Sequence, residues 1–348
     1  MSHSDVITLP MFLSRMPGLI ANLPGTIKGV KIGNNTDKTK PVGLGLCIEE
    51  AVSNNPNGHA IIYQDTFLTY AEYNAWANRI AHYLIKKGVK KGDTVAILIE
   101  NRPELFACVA ACAKVGAINA LINTSQRGKV LTHSVNLVNP KLAIVGEELV
   151  DAFNEVKADL VVPKEGHYFL ADQDTLKDAG KAPKDWLNLS TEIHGFSESN
   201  PETTQQVFSE DPCFYIYTSG TTGMPKAVIF NHGRFMKAYG AFGYGALKLK
   251  PTDRMYVTLP FYHATAMAVC WGSILAGKSG LILARKFSAS RFWDDVRKYD
   301  ATAFGYVGEL CRYLMDQPVK PNDLDNNVRV VVGNGLRPSI WKDFKSRF

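Results

Sequence analysis

A stretch of ten residues rich in hydroxyl groups and glycine constrains this chain more than any other feature. It reads Tyr217-Thr218-Ser219-Gly220-Thr221-Thr222-Gly223-Met224-Pro225-Lys226. β-Branched and aromatic residues dominate positions 213–217 and 227–230, which favours a strand on each side. Small and hydroxyl-bearing residues let the main chain close around phosphate oxygens, and Lys226 adds a point charge. The stretch therefore predicts a phosphate-binding loop that joins two strands.

Two common phosphate-binding patterns do not fit this loop. A Walker loop requires Gly-Lys-Ser/Thr at the start of a helix, whereas Pro225 precedes Lys226 here and a strand-like run follows. The glycine spacing of a dinucleotide-binding fingerprint is not matched either. The plain alternative is a surface turn, because Ser, Thr and Gly are common in turns of every function.

The composition is that of a globular protein. The 348 residues are 46% hydrophobic and 21% charged, enough for more than one core-bearing unit. The net charge of +6 is modest, and no basic stripe with interleaved aromatic residues suggests nucleic acid as a partner. The six cysteines show no repeated Cys-x-x-Cys spacing, which favours reduced thiols in the core of a cytoplasmic protein.

Residues 1–42 form a leader of different character. Between positions 9 and 40, apolar residues are mixed with Arg and Lys, which would suit the anionic surface at the inner face of the plasma membrane. Pro10, Pro17 and Pro24 argue against one continuous amphipathic helix. A membrane-surface segment and a flexible leader are therefore both open. No apolar run approaches 18 residues, so no spanning helix is predicted.

From residue 43 onward, predicted strands alternate with predicted helices. The helices cover residues 43–54, 70–87, 103–115, 129–137, 147–156, 232–247, 266–276, 289–298 and 308–315. The strands cover residues 94–99, 117–122, 142–145, 255–259, 280–284, 302–305 and 328–333, with a hairpin at 60–69. A polar linker is predicted at about 171–209. The alternation predicts an α/β fold with a mostly parallel, doubly wound sheet.

Three further segments are candidates for a ligand site. A Leu-Pro-Phe-Tyr-His sequence follows a predicted strand and ends at His263, whose imidazole could donate to a phosphate or carboxylate oxygen. Gly333, Asn334 and Gly335 form a turn after another predicted strand. Gly308 opens a helix, where the missing side chain would let a ligand approach the backbone. The alternatives are a structural histidine, a plain strand-to-helix turn and core packing, respectively.

Together these segments resemble one known superfamily. The loop at 217–226 is similar over its full length to the nucleotide-phosphate signature of the adenylate-forming enzymes, namely acyl-CoA synthetases, luciferases and peptide-synthetase adenylation domains. Segments 121–124, 306–314 and 333–338 look most like the fatty acid transport protein and very-long-chain acyl-CoA synthetase branch. Ala227 supports that branch, because most other relatives have Gly there. The resemblance extends from about residue 49 to residue 348 and is weakest in the linker.

The resemblance implies a fold and a set of residue roles. The fold would be an incomplete AMP-binding N-terminal large domain over residues 43–348, with two packed, doubly wound, mostly parallel sheets and flanking helices. The residues implied to hold the β- and γ-phosphates of ATP are Ser219, Gly220, Thr221, Thr222, Gly223 and Lys226. Thr218 would ligate Mg²⁺, and His263 would lie near the α-phosphate and the substrate carboxylate. With Lys226, these two residues are the implied catalytic set. The residues implied to line the adenine site are Gly308, Gly333, Asn334 and Gly335.

The implied reaction joins a long-chain or very-long-chain fatty acid to coenzyme A. The carboxylate attacks the α-phosphorus of ATP, pyrophosphate leaves, and the thiol of coenzyme A then displaces AMP. Three motifs expected of the superfamily would follow residue 348: a Tyr-Gly-x-Thr-Glu sequence, a ribose-binding Asp and a C-terminal lid. We therefore expect a truncated chain that is nearly inactive alone. Alternatives are a ligase with another acceptor or an aryl substrate, and a non-catalytic fatty acid uptake or nucleotide-binding protein.

Overall fold

Strands and helices alternate along the chain as the sequence pattern predicts. The computed structural model describes residues 8–35, 37–172, 180–218 and 223–348. The strands are His59–Tyr63 (β1), Thr66–Thr69 (β2), Thr94–Leu98 (β3), Ile118–Leu121 (β4), Leu142–Gly146 (β5), His167–Leu170 (β6), Leu187–Asn188 (β7), Pro212–Thr218 (β8), Lys226–Asn231 (β9), Arg254–Val257 (β10), Gly280–Leu283 (β11), Ala303–Val307 (β12) and Val330–Asn334 (β13). The helices are Leu9–Gly33 (α1), Leu44–Asn54 (α2), Tyr70–Lys86 (α3), Pro103–Val115 (α4), Gly128–Asn136 (α5), Val150–Asn154 (α6), Leu189–Glu192 (α7), His232–Ala238 (α8), Trp271–Gly277 (α9), Phe292–Lys298 (α10), Gly308–Met315 (α11) and Pro338–Arg347 (α12).

Within the described residues, the strands form two sheets. Six strands lie in the order β13-β12-β10-β11-β1-β2, and seven lie in the order β7-β6-β5-β3-β4-β8-β9. Neighbouring strands are parallel except in the hairpins β1–β2 and β8–β9. Both sheets are therefore mostly parallel, as predicted. In each sheet the carboxyl ends of the parallel strands share one edge, which is where ligands bind in α/β folds.

One hydrophobic core contains residues of both sheets and of the helices packed between and around them. Successive residues of β3 point to opposite faces of their sheet. Val95 and Ile97 belong to this core, whereas Ala96 and Leu98 belong to a second cluster that includes residues of α5 and α6. Because both faces of the sheet are covered, β3 is apolar throughout, as expected of a buried parallel strand.

Two helices begin and end close to the predicted residues because of local chemistry. The Thr69 hydroxyl accepts a hydrogen bond from the Glu72 amide at 3.2 Å, and the Glu72 carboxylate accepts one from the Thr69 amide at 2.9 Å. This capping box starts α3. Pro103 starts α4, and Gly116 ends it in the left-handed conformation with φ +80°.

Two predicted helices are partly π-helical. Helix α8 passes into a π-helix at Tyr239–Leu247, and a second π-helix at Thr265–Cys270 leads into α9. A Cβ on Gly240 would collide with the carbonyl oxygen of Gly29, and a Cβ on Gly243 would collide with Ala276. Close tertiary contacts thus accompany the wider turns, and helical periodicity in the sequence does not report such contacts.

The prediction that three prolines prevent a continuous leader helix is wrong. Helix α1 runs unbroken through Pro17 and Pro24. The spacing of seven residues places the prolines on nearly one side of the helix, and Gly29 packs directly on Gly240 of the first π-helix. The Lys28 ammonium lies 4.1 Å from the centre of the Tyr244 ring at the same contact. Tertiary packing therefore compensates for the hydrogen bonds that the prolines remove.

No helix among the described residues combines the length and the hydropathy that a membrane crossing requires.

The region predicted as a polar linker contains more structure than a linker. Strand β7 extends the seven-stranded sheet by pairing in parallel with β6. Trp186 and Leu189 are buried on either side of it. Strands β6 and β7 were not predicted from the sequence, because each is short and lies in a polar context. Residues 173–179 of this region lie outside the described residues.

Candidate functional site

The predicted phosphate loop lies at the tip of the β8–β9 hairpin, as the flanking strand patterns indicate. Thr218 and Lys226 are paired directly across the two strands. Both side chains are exposed. Lys226 forms no ion pair with any described residue, so its ammonium is available to an anion. Gly223 has φ +82°, a backbone conformation that residues other than glycine rarely adopt.

Of the remaining loop residues, Ser219, Gly220, Thr221 and Thr222 lie outside the described residues, so their predicted phosphate contacts stay predictions.

Helix α5 supports both ends of this hairpin. The Tyr217 hydroxyl donates to the carbonyl oxygen of Ser134 at 2.8 Å. The Nε2 atom of His133 lies 2.9 Å from the carbonyl oxygen of Pro225, the residue before Lys226. Because a carbonyl oxygen can only accept, this nitrogen carries the proton. Sequence reasoning missed His133, since a lone histidine in a short helix carries no recognisable signal.

The segment after β10 presents His263 beside the base of the hairpin. The His263 amide donates to the Pro260 carbonyl oxygen at 3.1 Å, which forms a tight turn. The imidazole is exposed, and its centroid lies 4.6 Å from that of Tyr262. Partial burial lowers the pKa of His263, so the ring is neutral at pH 7.

The chain then continues into the second π-helix, whose first turn packs on the hairpin strands. A narrow cleft at this contact is lined by Phe214, Ile216, Phe230, Ala264, Met267 and Ala268. The contact places the His263 segment against the base of the phosphate hairpin.

The carboxyl ends of the two sheets meet at a cavity of about 260 Å³. Residues that follow β3, β4, β10 and β11 line it, among them Glu100, Asn101, Thr124, Thr258, Tyr262 and Arg285. The Arg285 guanidinium lies 2.7 Å from the Glu100 carboxylate, and the Lys286 ammonium lies 3.0 Å from it. Burial opposes ionisation of Glu100, but these two donors outweigh it and lower its pKa.

Sequence reasoning also missed this cavity. The signal that could have found it is the polar run at residues 100–102 immediately after a buried strand.

The predicted adenine-side residues come together at the ends of two parallel strands. Strands β12 and β13 pair Tyr306 with Gly333. A Cβ on Gly308 would collide with the carbonyl oxygen of Gly335, and a Cβ on Gly333 would collide with that of Tyr306. Gly335 has φ +75°. The close approach of the two turns thus requires glycine here, while Asn334 is exposed beside them.

A separate apolar cavity of about 470 Å³ lies between β13 and α12, lined by Trp293, Phe304, Tyr306, Val331, Leu336 and Trp341. It adjoins the adenine-side turn through Tyr306 and Leu336 but contains none of the predicted catalytic residues.

Metal ligands are sparse in this region. Within the part of the chain that the structure describes, no group of three His, Cys, Asp or Glu side chains is arranged to hold a metal ion. The six cysteines are all free and buried, in agreement with the predicted core thiols.

Comparison with known proteins gives one family and a consistent set of relatives. The sequence profile of the AMP-binding enzymes matches residues 48–348. Medium/long-chain-fatty-acid–CoA ligase FadD6 of Mycobacterium tuberculosis is 38% identical over 347 residues, which is 100% of this chain and 55% of that protein. Human long-chain fatty acid transport protein 1 is 38% identical over 280 residues, or 80% of this chain and 42% of that protein. The chain thus spans about half the length of these relatives.

Solved structures agree on the fold. The anthranilate CoA ligase AuaEII, crystallised with anthranoyl-AMP, superposes with a TM-score of 0.77 at 18% identity, over 88% of this chain and 58% of that one. The N-terminal domain of FACL13 from Mycobacterium tuberculosis gives a TM-score of 0.73 at 22% identity, over 88% of this chain and 73% of that domain. The chain therefore has the fold of the N-terminal domain of adenylate-forming enzymes, as the sequence resemblance implied.

Proposed function

Because the chain belongs to the AMP-binding enzyme family, we propose that the protein containing it is an ATP-dependent long-chain fatty acid–CoA ligase. The observation that carries the proposal is the β8–β9 hairpin, with Thr218 and Lys226 opposite each other at its tip and no ion pair between Lys226 and any described residue. The names of the relatives, a fatty-acid–CoA ligase and a long-chain fatty acid transport protein, support the substrate class.

The first step would bring together two anions, the fatty acid carboxylate and the triphosphate of ATP. Catalysis then depends on positioning and on neutralising negative charge. Lys226 would neutralise charge on the β- and γ-phosphates, and the loop residues 219–223 would donate backbone and hydroxyl hydrogen bonds to them. Mg²⁺, when bound, would supply Lewis-acid neutralisation of the phosphates, and the Thr218 hydroxyl is the protein group suited to hold it there.

His263 would orient the substrate carboxylate beside the α-phosphate. Its lowered pKa keeps the ring neutral at pH 7, so one ring nitrogen donates a hydrogen bond without adding a cation. The adenine ring would lie against the backbone where the turns at Gly308 and Gly335 meet, beside the exposed Asn334.

We further propose that α1 lies on an anionic membrane surface, so that the cytoplasmic protein contacts the inner face of the plasma membrane. Gly25 and Gly29 face the first π-helix, and Gly33 faces Lys237 of α8. At about 100° per residue, five exposed apolar side chains fall on the opposite side of α1, namely Leu9, Leu13, Ile20, Leu23 and Ile27. The exposed side chains of Phe12, Leu19 and Val30 lie along its flank. Residues 8–35 contain Arg15, Lys28 and Lys31 but no acidic residue. This combination suits acyl chains and anionic headgroups, and a surface enzyme would take its fatty acid directly from the bilayer.

The test is a product assay on the complete reading frame, with residues 1–348 in parallel. ATP, Mg²⁺, coenzyme A and a panel of fatty acids are supplied, and AMP, ADP and acyl-CoA are quantified. The proposal expects AMP and acyl-CoA in equal amounts from the complete protein, and the panel gives the preferred chain length. Formation of ADP contradicts a ligase that proceeds through an adenylate. Tight ATP binding without turnover would favour a nucleotide-binding protein that takes part in fatty acid uptake.

The parallel sample tests the expectation that residues 1–348 alone turn over little. If product forms only with a carrier protein, the protein is a ligase with another acceptor. If product forms only with aryl acids, it is a ligase with an aryl substrate.

A further inference from the structure

Asn101 joins the two sheets directly beneath the segment that carries His263. It follows β3 in one sheet, and its side-chain amide donates to the carbonyl oxygens of Leu259 at 2.9 Å and Ala284 at 3.2 Å, beyond the ends of β10 and β11 in the other. Its Oδ1 atom accepts from the Phe261 amide at 3.1 Å. The residue is only 6% exposed, so these bonds form away from water.

We propose that Asn101 is a positioning residue that fixes the Leu259–His263 segment and thereby the place of the His263 imidazole. Two of its three hydrogen bonds go to Leu259 and Phe261, on either side of Pro260. An asparagine can serve both, because its amide carries two donor hydrogens and an acceptor oxygen. This inference rests on the proposed ligase function, in which His263 touches the substrate.

The residues on both sides of Asn101 are held by ion pairs or hydrogen bonds, which fixes the backbone from which its side-chain amide extends. On one side, Glu100 is paired with Arg285 and Lys286. On the other, the buried Arg102 guanidinium donates to the carbonyl oxygens of Leu170 and Ala171 at 2.9 and 2.8 Å. Rotation of the side chain away from its partners would leave buried backbone groups without hydrogen bonds, which is costly.

A second contact from the same part of the chain restrains the segment. The ring of Phe261 is fully buried and lies 4.6 Å, between centroids, from the ring of Phe106 in α4. This contact anchors the segment in the core but leaves rotation about its backbone open. The hydrogen bonds of Asn101 remove that freedom at Leu259 and Phe261, which lie four and two residues before His263. A displacement of about 1 Å at a reacting group can cost about 100-fold in rate.

The test compares variants of the complete protein in ATP–pyrophosphate exchange driven by a fatty acid. Asn101→Leu removes all three bonds, and Asn101→Asp keeps the shape and the acceptor but loses the donors. The matched control is Asn78→Leu, since Asn78 is also a buried amide and bonds Glu198 and Asn200, outside the site. We expect both Asn101 variants to lower kcat by about 10- to 100-fold with the KM for ATP nearly unchanged, because the described residues of the phosphate hairpin form no hydrogen bond with Asn101.

Combination with His263→Ala separates positioning from general loss of stability. If Asn101 acts through His263, Asn101→Leu costs little further activity in the His263→Ala protein. Equal losses in both backgrounds, or a normal kcat in both Asn101 variants while the parent protein exchanges, overturn this proposal alone. No exchange by the parent protein overturns the ligase function itself and this inference with it. Should Asn101→Leu not fold, the isosteric Asn101→Asp decides the outcome.

Discussion

The Nε2 atom of His133 donates a hydrogen bond to the carbonyl oxygen of Pro225 at 2.9 Å. Pro225 immediately precedes Lys226, so this bond fixes the backbone from which the Lys226 side chain extends. With the bond between Tyr217 and Ser134 on the other strand, it ties both ends of the hairpin to α5. A phosphate loop held at both ends loses less conformational entropy when ATP binds.

Replacing His133 should therefore weaken ATP binding more than it weakens the fold. We expect His133→Phe to raise the KM for ATP by about three- to tenfold, as the loss of one hydrogen bond implies. The control is His82→Phe, because a ring nitrogen of His82 also lies 2.9 Å from a carbonyl oxygen, that of Ser199, outside the hairpin. Equal KM values in the two variants would show that the His133 bond has no part in binding.

The exposed ammonium of Lys226, which has no ion pair among the described residues, gives a second prediction. Lys226→Ala should lower ATP affinity or the adenylation rate by about 10- to 100-fold, because a hydrogen bond to a charged group is worth about 1.5–3 kcal/mol. Stability should be unchanged, since the side chain is exposed and has no ion pair to lose. Isothermal titration with ATP measures the effect. Lys250→Ala, at another exposed lysine without an ion pair among the described residues, should leave the affinity unaltered.

A buried histidine next to the second strand of the hairpin predicts the acid sensitivity of the fold. His232 starts α8 and is fully buried, and burial lowers its pKa to about 4. The charge of Asp211 opposes this shift, whereas that of Lys91 adds to it. Its Nδ1 atom accepts a hydrogen bond from the Leu44 amide at 3.3 Å, so the folded state requires the neutral ring. Protonation would break this contact.

The free energy of unfolding should therefore fall as the solution is acidified. Below about pH 6.5 the unfolded chain takes up a proton at His232 that the folded chain refuses until about pH 4. Between pH 7 and 5 this linkage removes about 2 kcal/mol. Urea unfolding at the two pH values measures it, and His232→Gln should abolish that part of the pH dependence. A variant with the parent's full pH dependence would assign the acid sensitivity to other groups.

The sequence predicted most of the fold because strands and helices here follow simple periodicities. The bounds of α4 and α11 match the prediction, and α3 differs by one residue. Apolar runs such as β3 identify strands covered on both faces. The hairpin on each side of the phosphate loop was likewise evident from its β-branched and aromatic flanks.

The features that escaped prediction are set by contacts distant in the sequence. The continuity of α1 depends on Gly29 meeting Gly240, more than 200 residues away along the chain. Asn101 and His133 act on backbone carbonyl oxygens, which every residue has, so no pairing pattern marks them. Side-chain types in a row, as at residues 217–226, allow a prediction from one sequence, whereas hydrogen bonds that support a distant backbone leave no such pattern.

The exposed apolar side of α1 gives the last prediction. The double variant Leu23→Glu, Ile27→Glu places two carboxylates on this side of α1. The side chains that it replaces are 53% and 46% exposed, respectively. Cosedimentation with phosphatidylserine–phosphatidylcholine vesicles should fall about tenfold or more, because apolar burial is lost and like charges repel. Glutamates at Val319 and Leu324, which are 78% and 69% exposed elsewhere, are the matched control for charge and should change binding little. High salt should also weaken the parent protein's binding. If the α1 variant and the control bind vesicles equally, α1 is not the membrane-facing element.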